Sequence, residues 1–185
     1  MDFVRLLRYP DPRLRTAARA VGPLNGEVCR AAAAMFEIMY RARGIGLAGP
    51  QAGLDLRLVV ANLAGDPARK DLEQVFVNPE ILGCAGERCE EEGCLSLPGM
   101  SVKIPRAETV EVRYLDLDGR EIRRSAEGIE AKLFQHEVDH LDGILIIDKM
   151  TPADRKQWAS FLKGLEEEYR SRGRRSRHAP SKTKR

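Results

Sequence analysis

Residues 129–143 read Ile129-Glu130-Ala131-Lys132-Leu133-Phe134-Gln135-His136-Glu137-Val138-Asp139-His140-Leu141-Asp142-Gly143. Ile129, Leu133, His136, Val138 and Leu141 recur at helical spacing, and Gly143 ends the run. Residues four apart share one side of a helix, so the imidazoles of His136 and His140 can grip one ion. Glu137, one step from the first ligand, can reach water at that ion without binding it. These are two of the three histidines in the chain, and their apolar flanks argue against a chance pair on a solvated helix.

The segments around this helix set its context. Asn25 is a good N-cap for a helix running to about Arg43, with Val28, Ala31, Met35, Ile38, Met39 and Ala42 as its buried stripe and Gly44 and Gly46 beyond its end. Strands are expected over Leu56–Leu63, from Val75 past Pro79 to Leu82, at Val102–Ile104 and at Val110–Tyr114. Asp118-Gly119 signals a hairpin. A last helix opens at Thr151-Pro152 and carries Trp158, Phe161, Leu162 and Leu165 on its apolar face. The pattern is α+β: antiparallel or mixed β-sheets packed around a central metal-binding helix. Residues 1–169 make one catalytic domain, and residues 170–185 a basic, disordered tail.

Composition agrees with a globular class. The chain has 185 residues, 43% of them hydrophobic and 32% charged, which suits a single domain with its own core. No run reaches the roughly 18 apolar residues of a membrane span, and the N-terminus lacks a signal-peptide pattern. A cytoplasmic, monomeric protein is the expectation, with its cysteines reduced. Arg170, Arg172, Arg174, Arg175, Arg177, Lys182, Lys184 and Arg185 follow one another without an acid, so the body of the chain is net acidic and the tail basic.

Two histidines leave the ion short of a ligand. The only later histidine is His178, in the tail. Cys94, in Glu92-Gly93-Cys94-Leu95-Ser96, is a good candidate, because thiolate binds zinc and ferrous iron well. A rival is a thiolate cluster of Cys84, Cys89 and Cys94, although its spacing is wider than structural zinc usually has. Outside such a cluster, Cys84 and Cys89 are free thiols, with Cys84 a candidate for the core. Gly44-Ile45-Gly46-Leu47-Ala48-Gly49-Pro50-Gln51 lacks the lysine of a phosphate loop, but Gln51 carries an amide donor suited to a developing oxyanion.

Together, in this order, these three segments resemble the motifs of the peptide deformylase family: the loop ending in Gln51, Glu92–Ser96, and Gln135–Gly143. The likeness runs from Tyr9-Pro10-Asp11-Pro12 to about Met150. Gly49 departs from it, since the family usually has alanine there, and a looser loop is the expectation.

The resemblance implies removal of the formyl group from the N-terminal methionine of nascent polypeptides during protein biosynthesis. Cys94, His136 and His140 would be the metal ligands and Glu137 the general base, with Gln51 and the Leu95 N–H as oxyanion donors. It implies Fe²⁺ in the cell, with Zn²⁺ or Ni²⁺ possible in purified protein. Gly46, Ile45, Ile129 and Leu133 are the expected substrate contacts, of which Ile129 could equally be core. Gln135, Asp139 and Glu92 would support the site, Glu92 pairing with Arg106 or lying solvated. The basic tail is a candidate contact for the ribosome. The alternatives are a zincin-like peptidase and a non-catalytic RNA- or ribosome-binding module with a structural metal.

Overall fold

The side chain of Asn25 accepts from the backbone N–H groups of Glu27 and Val28 and starts α1, Gly26–Arg41, as an asparagine cap does. The structure, a computed structural model, describes residues 4–177. Strands follow as β1 (Gly46–Ala48), β2 (Leu58–Ala61), β3 (Gln74–Ala85), β4 (Arg88–Cys94), β5 (Leu97–Arg106), β6 (Thr109–Leu115) and β7 (Glu121–Glu127). Helix α2 spans Gly128–Leu141 and α3 spans Pro152–Arg177.

Five strands form one sheet in the order β1-β2-β3-β6-β7, and β4 and β5 form a separate hairpin. Every pairing is antiparallel, so of the two sheet types expected the antiparallel one is realised. β2 is apolar throughout because both its faces are covered. Leu58 and Val60 turn toward α1 with Met35 and Met39, while Val59 and Ala61 turn toward α2 with Phe134 and Leu141. This is the period of two that a pleated strand imposes. Val102 and Ile104 of β5 point the other way, into a third cluster with Leu145, Ile146, Ile147 and Leu162 of α3. The fold is α+β, with α2 held between the sheet and the β4–β5 hairpin.

Aromatic packing fixes α2 on the sheet. Phe134 lies 4.6 Å from Phe76, and Phe76 meets Tyr114 edge-on at 4.8 Å. Arg124 of β7 covers the Phe134 ring at 5.6 Å and is itself held by Glu130 at 2.6 Å.

Three expectations change. β4 has no hydrophobic alternation to announce it, because Arg88-Cys89-Glu90-Glu91-Glu92 is polar. Its register against β5 makes it a strand. Cys84 is exposed rather than packed in the core, lying next to the last residue of β3, just beyond the register shift between Ile81 and Gly83. Finally, α3 continues past Tyr169 to Arg177, so the basic stretch begins as helix rather than disordered chain. Glu166–Arg170 and Glu168–Arg172 pairs at 3.6 and 2.5 Å span successive turns and support a helix with little apolar face. Residues 178–185, including His178, lie outside the described residues.

Phe134 is 1% exposed at the centre of this packing. Phe134→Ala is expected to cost about 3–5 kcal/mol in urea unfolding. Removing the exposed Arg69–Asp71 pair by Arg69→Ala should leave the urea midpoint nearly unchanged.

Candidate metal centre

Cys94 ends β4 at a register shift: Gly93 pairs with Ser101, but Cys94 pairs with Leu97. Such a bulge re-aims the side chain that follows it, and here it turns the sulfur toward α2. His136 and His140 stand one turn apart on that helix, their ring centroids 4.9 Å from each other. One ligand atom from each of Cys94, His136 and His140 lies within 4.8 Å of the others, and Cys94 Sγ is 3.2 Å from His140 Nε2. Two ligands of a tetrahedral ion with zinc-like bond lengths sit roughly 3.5 Å apart, so the cluster has the dimensions of a metal site. The rival cluster does not assemble, since Cys84 and Cys89 are exposed while Cys94 is buried.

The electrostatics suit a cation. Burial alone would raise the Cys94 thiol, but His140 and His136 outweigh it and hold the thiol well below its ordinary value. Burial likewise opposes charge on His136, and the Cys94 sulfur and Glu92 overcome it, raising His136 well above its ordinary value. The pocket thus favours a thiolate neutralised by a proton on imidazole, and a divalent cation would take that proton's place. Two buried atoms have no partner among the described residues, Glu137 Oε2 and His140 Nδ1. Burial raises the Glu137 carboxyl above its ordinary value.

A second layer of side chains fixes the ligands. Glu92 lies 3.0 Å from His136 Nδ1 and accepts from Arg106 Nε and Nη2 at 2.8 and 3.0 Å. Arg106 also donates to Asp139 at 2.5 Å, and Lys149 reaches Asp139 at 2.9 Å. Glu92 is therefore buried and paired, and solvation is ruled out. Gln135 clamps Ala107, accepting from its N–H and donating to its carbonyl, both at 2.9 Å.

The glycine loop meets this site edge-on. Gly46 in β1 is required by close approach: a Cβ there would stand 2.6 Å from Glu137 Oε1. At Gly49 a Cβ would lie 2.3 Å from the Leu56 carbonyl oxygen, so this glycine marks a tight contact and not the looser loop expected. Gln51 is 1% exposed. Its Oε1 accepts from the Ala48 N–H at 2.9 Å, and its Nε2 donates to Ser96 Oγ at 3.3 Å and Cys94 Sγ at 3.5 Å. Ser96, fully buried, was read only as the end of the Glu92–Ser96 motif and given no role; its place two residues after Cys94 was the available signal.

A model of the polypeptide deformylase family matches residues 3–156. The chain belongs to that family. A peptide deformylase of Thermodesulfovibrio yellowstonii is 44% identical over 163 residues, 88% of this chain and 98% of its own length. One from Alkalilimnicola ehrlichii is 44% identical over 165 residues, covering 89% and 92%. The crystal structure of peptide deformylase from Plasmodium falciparum superposes with a TM-score of 0.88 at 36% identity, covering 90% of this chain and 98% of that one.

In this member of the deformylase family a cavity of about 740 Å³ opens over the Cys94, His136 and Glu137 side chains. Ile45, Gly46, Leu95, Ile129 and Leu133 all line it, with Gln51, Glu137 and His136. Ile129 is 52% exposed and so belongs to the cavity wall, not the core.

Glu92 supplies a test of the supporting layer. Burial alone would raise its carboxyl, but hydrogen bonds from His136 and Arg106 bring it from 4.5 to about 2. A depressed carboxylate stabilises the fold above its unfolded pKa, and that stability is lost as pH falls from 4.5 toward 2. In metal-free protein Glu92→Gln should flatten the acid limb of the stability–pH curve. The same variant should bind metal about 10–100-fold more weakly in chelator competition.

Proposed function

We propose that Cys94, His136 and His140 hold the divalent ion of a peptide deformylase, which hydrolyses the formyl amide at the N-terminal methionine of nascent polypeptides and releases formate. The supporting observation is a buried sulfur and two imidazole nitrogens within 4.8 Å of one another, with Glu137 beside them and an open cavity above. A divalent cation supplies Lewis-acid chemistry there, polarising a carbonyl and lowering the pKa of water. One thiolate and two imidazoles would hold such an ion while leaving it open to substrate or water. Fe²⁺ is the proposed ion in the cell, with Zn²⁺ or Ni²⁺ in purified protein.

Glu137 acts as general base. Its burial makes it a stronger base than an exposed carboxylate, and its unpartnered Oε2 is free to accept a proton from water and return it to the departing amine. The Leu95 N–H and one hydrogen of the Gln51 amide stabilise the oxyanion; the other Gln51 hydrogen stays on Ser96 or Cys94. Ile45, Ile129 and Leu133 receive the methionine side chain. The Gly46 backbone pairs with the extended peptide, a mode that reads few side chains and suits substrates of many sequences.

No helix among the described residues is long and apolar enough to cross a membrane, and a cytoplasmic enzyme acting as a monomer is proposed. The basic end of α3 and the residues after it are proposed to contact ribosomal RNA through phosphate pairing. Truncation after Tyr169 should then weaken ribosome co-sedimentation at low salt, and unaltered binding would remove the idea.

Formate release from formyl-Met-Ala-Ser, with the peptide left intact, tests the activity; internal cleavage would mark a peptidase instead. Glu137→Gln should stay folded and metal-bound by elemental analysis while kcat falls about 10²–10⁴-fold. Full turnover by that variant would overturn the assignment of the base.

A further inference from the structure

Two cavities share a wall. Besides the one over the metal cluster, a cavity of about 700 Å³ lies between the N-terminal segment and the distal half of α3. Leu6, Arg8 and Pro98 line both, so the second continues the first over a saddle formed by these three residues. Leu165, Glu168, Tyr169 and Arg172 of α3 line its far side, and Tyr169 is 42% exposed.

The outer backbone edge at the saddle is open at Leu6 and at the Arg8 N–H, whereas the Arg8 carbonyl already accepts from the Asp11 N–H at 3.0 Å. Arg5, Leu7 and Tyr9 donate their N–H groups to the carbonyls of Ala52, Gln51 and Ser96 at 3.1, 2.7 and 2.9 Å. Successive N–H groups of an extended segment point to opposite sides, so those of Leu6 and Arg8 face away from these partners. Neither donates to another backbone group among the described residues. Leu7, between them, is buried at 3% exposure, which anchors the segment while leaving its outer edge available for pairing.

The geometry points to an extended substrate track: a formylated peptide leaves the metal site, pairs its backbone with the Leu6–Arg8 edge, and lays its later residues against Leu165 and Tyr169. This rests on the deformylase reading. The occupant is the substrate itself, because the groove is continuous with the site where the first residue must sit. Eight extended residues span about 27 Å, enough to cross a saddle only three side chains wide. Backbone pairing at the edge reads few side chains, and a far wall that offers Leu165 and Tyr169 between Glu168 and Arg172 can meet apolar and charged residues alike.

The test compares formate release by the full-length, metal-loaded enzyme from formyl-Met-Ala-Ser and from the same sequence extended to eight residues. A few added strand hydrogen bonds should lower KM about tenfold for the longer peptide, with kcat the same. Tyr169→Asp should shrink the ratio of the two kcat/KM values toward one. N-methylation of the amides of residues four and five in the long peptide should do the same, and it does not depend on any variant folding. Equal kcat/KM for the two lengths in the wild type would overturn the track and leave the deformylase reading standing. A length gain that survives both Tyr169→Asp and N-methylation would also overturn it. Absence of formate from either peptide would instead overturn the deformylase reading, and the track with it.

Discussion

Arg106 is the residue on which the site depends. It is 5% exposed and meets two carboxylates, Glu92 on β4 and Asp139 on α2. A buried charge without a partner costs several kcal/mol, so Arg106 and Glu92 each require the other, while Asp139 is shared between Arg106 and Lys149. The trio ties the last residue of β5 to the neighbouring strand and to α2, which carries His136 and His140. Because Glu92 also holds His136, the ion pair sets the orientation of a ligand as well as the spacing of the layers. Pairing alone is weak evidence for stability, and here it fixes geometry.

The glycine loop works from the opposite side. The main chain of β1 comes so close to α2 that a methyl group at Gly46 would overlap the Glu137 carboxylate. That approach shuts water away from one oxygen of Glu137 and raises its affinity for a proton. It also leaves a backbone, with no side chain, as the wall nearest the reacting atoms. The same closeness explains why Gln51, three residues beyond the end of β1, can reach both the sulfur and Ser96. Rigid elements on both sides hold these groups, which favours precise placement over adaptability.

Much of this was legible in the sequence, for identifiable reasons. α1 and α2 carry apolar stripes strong enough to be read locally, and the four-residue spacing of His136 and His140 is a property of any helix. Leu58–Ala61 was visible because a strand covered on both faces must be apolar. β4 was not, since its residues are polar and only pairing with β5 makes them a strand. The role of Cys94 was legible as chemistry, but its aim depends on a bulge that no local pattern reveals. Gly49 was misjudged because its constraint comes from the Leu56 carbonyl, a contact made by the returning chain. Arg106 was legible only as one side of an open choice, as burial of an ion pair depends on everything packed around it.

The bulge at Gly93 and Cys94 places one proposed ligand on a hairpin, and the other two stand on a helix beginning 34 residues further along the chain, with His136 42 residues from Cys94. An ion bound at that junction closes a loop that no disulfide closes, and the unfolded chain has no comparable site. Affinity for metal is then part of the free energy of folding, shared between the hairpin and the helix. Cells short of the proper ion would hold this protein in a form more easily opened between those two parts. Its lifetime against proteases would thereby report the metal supply.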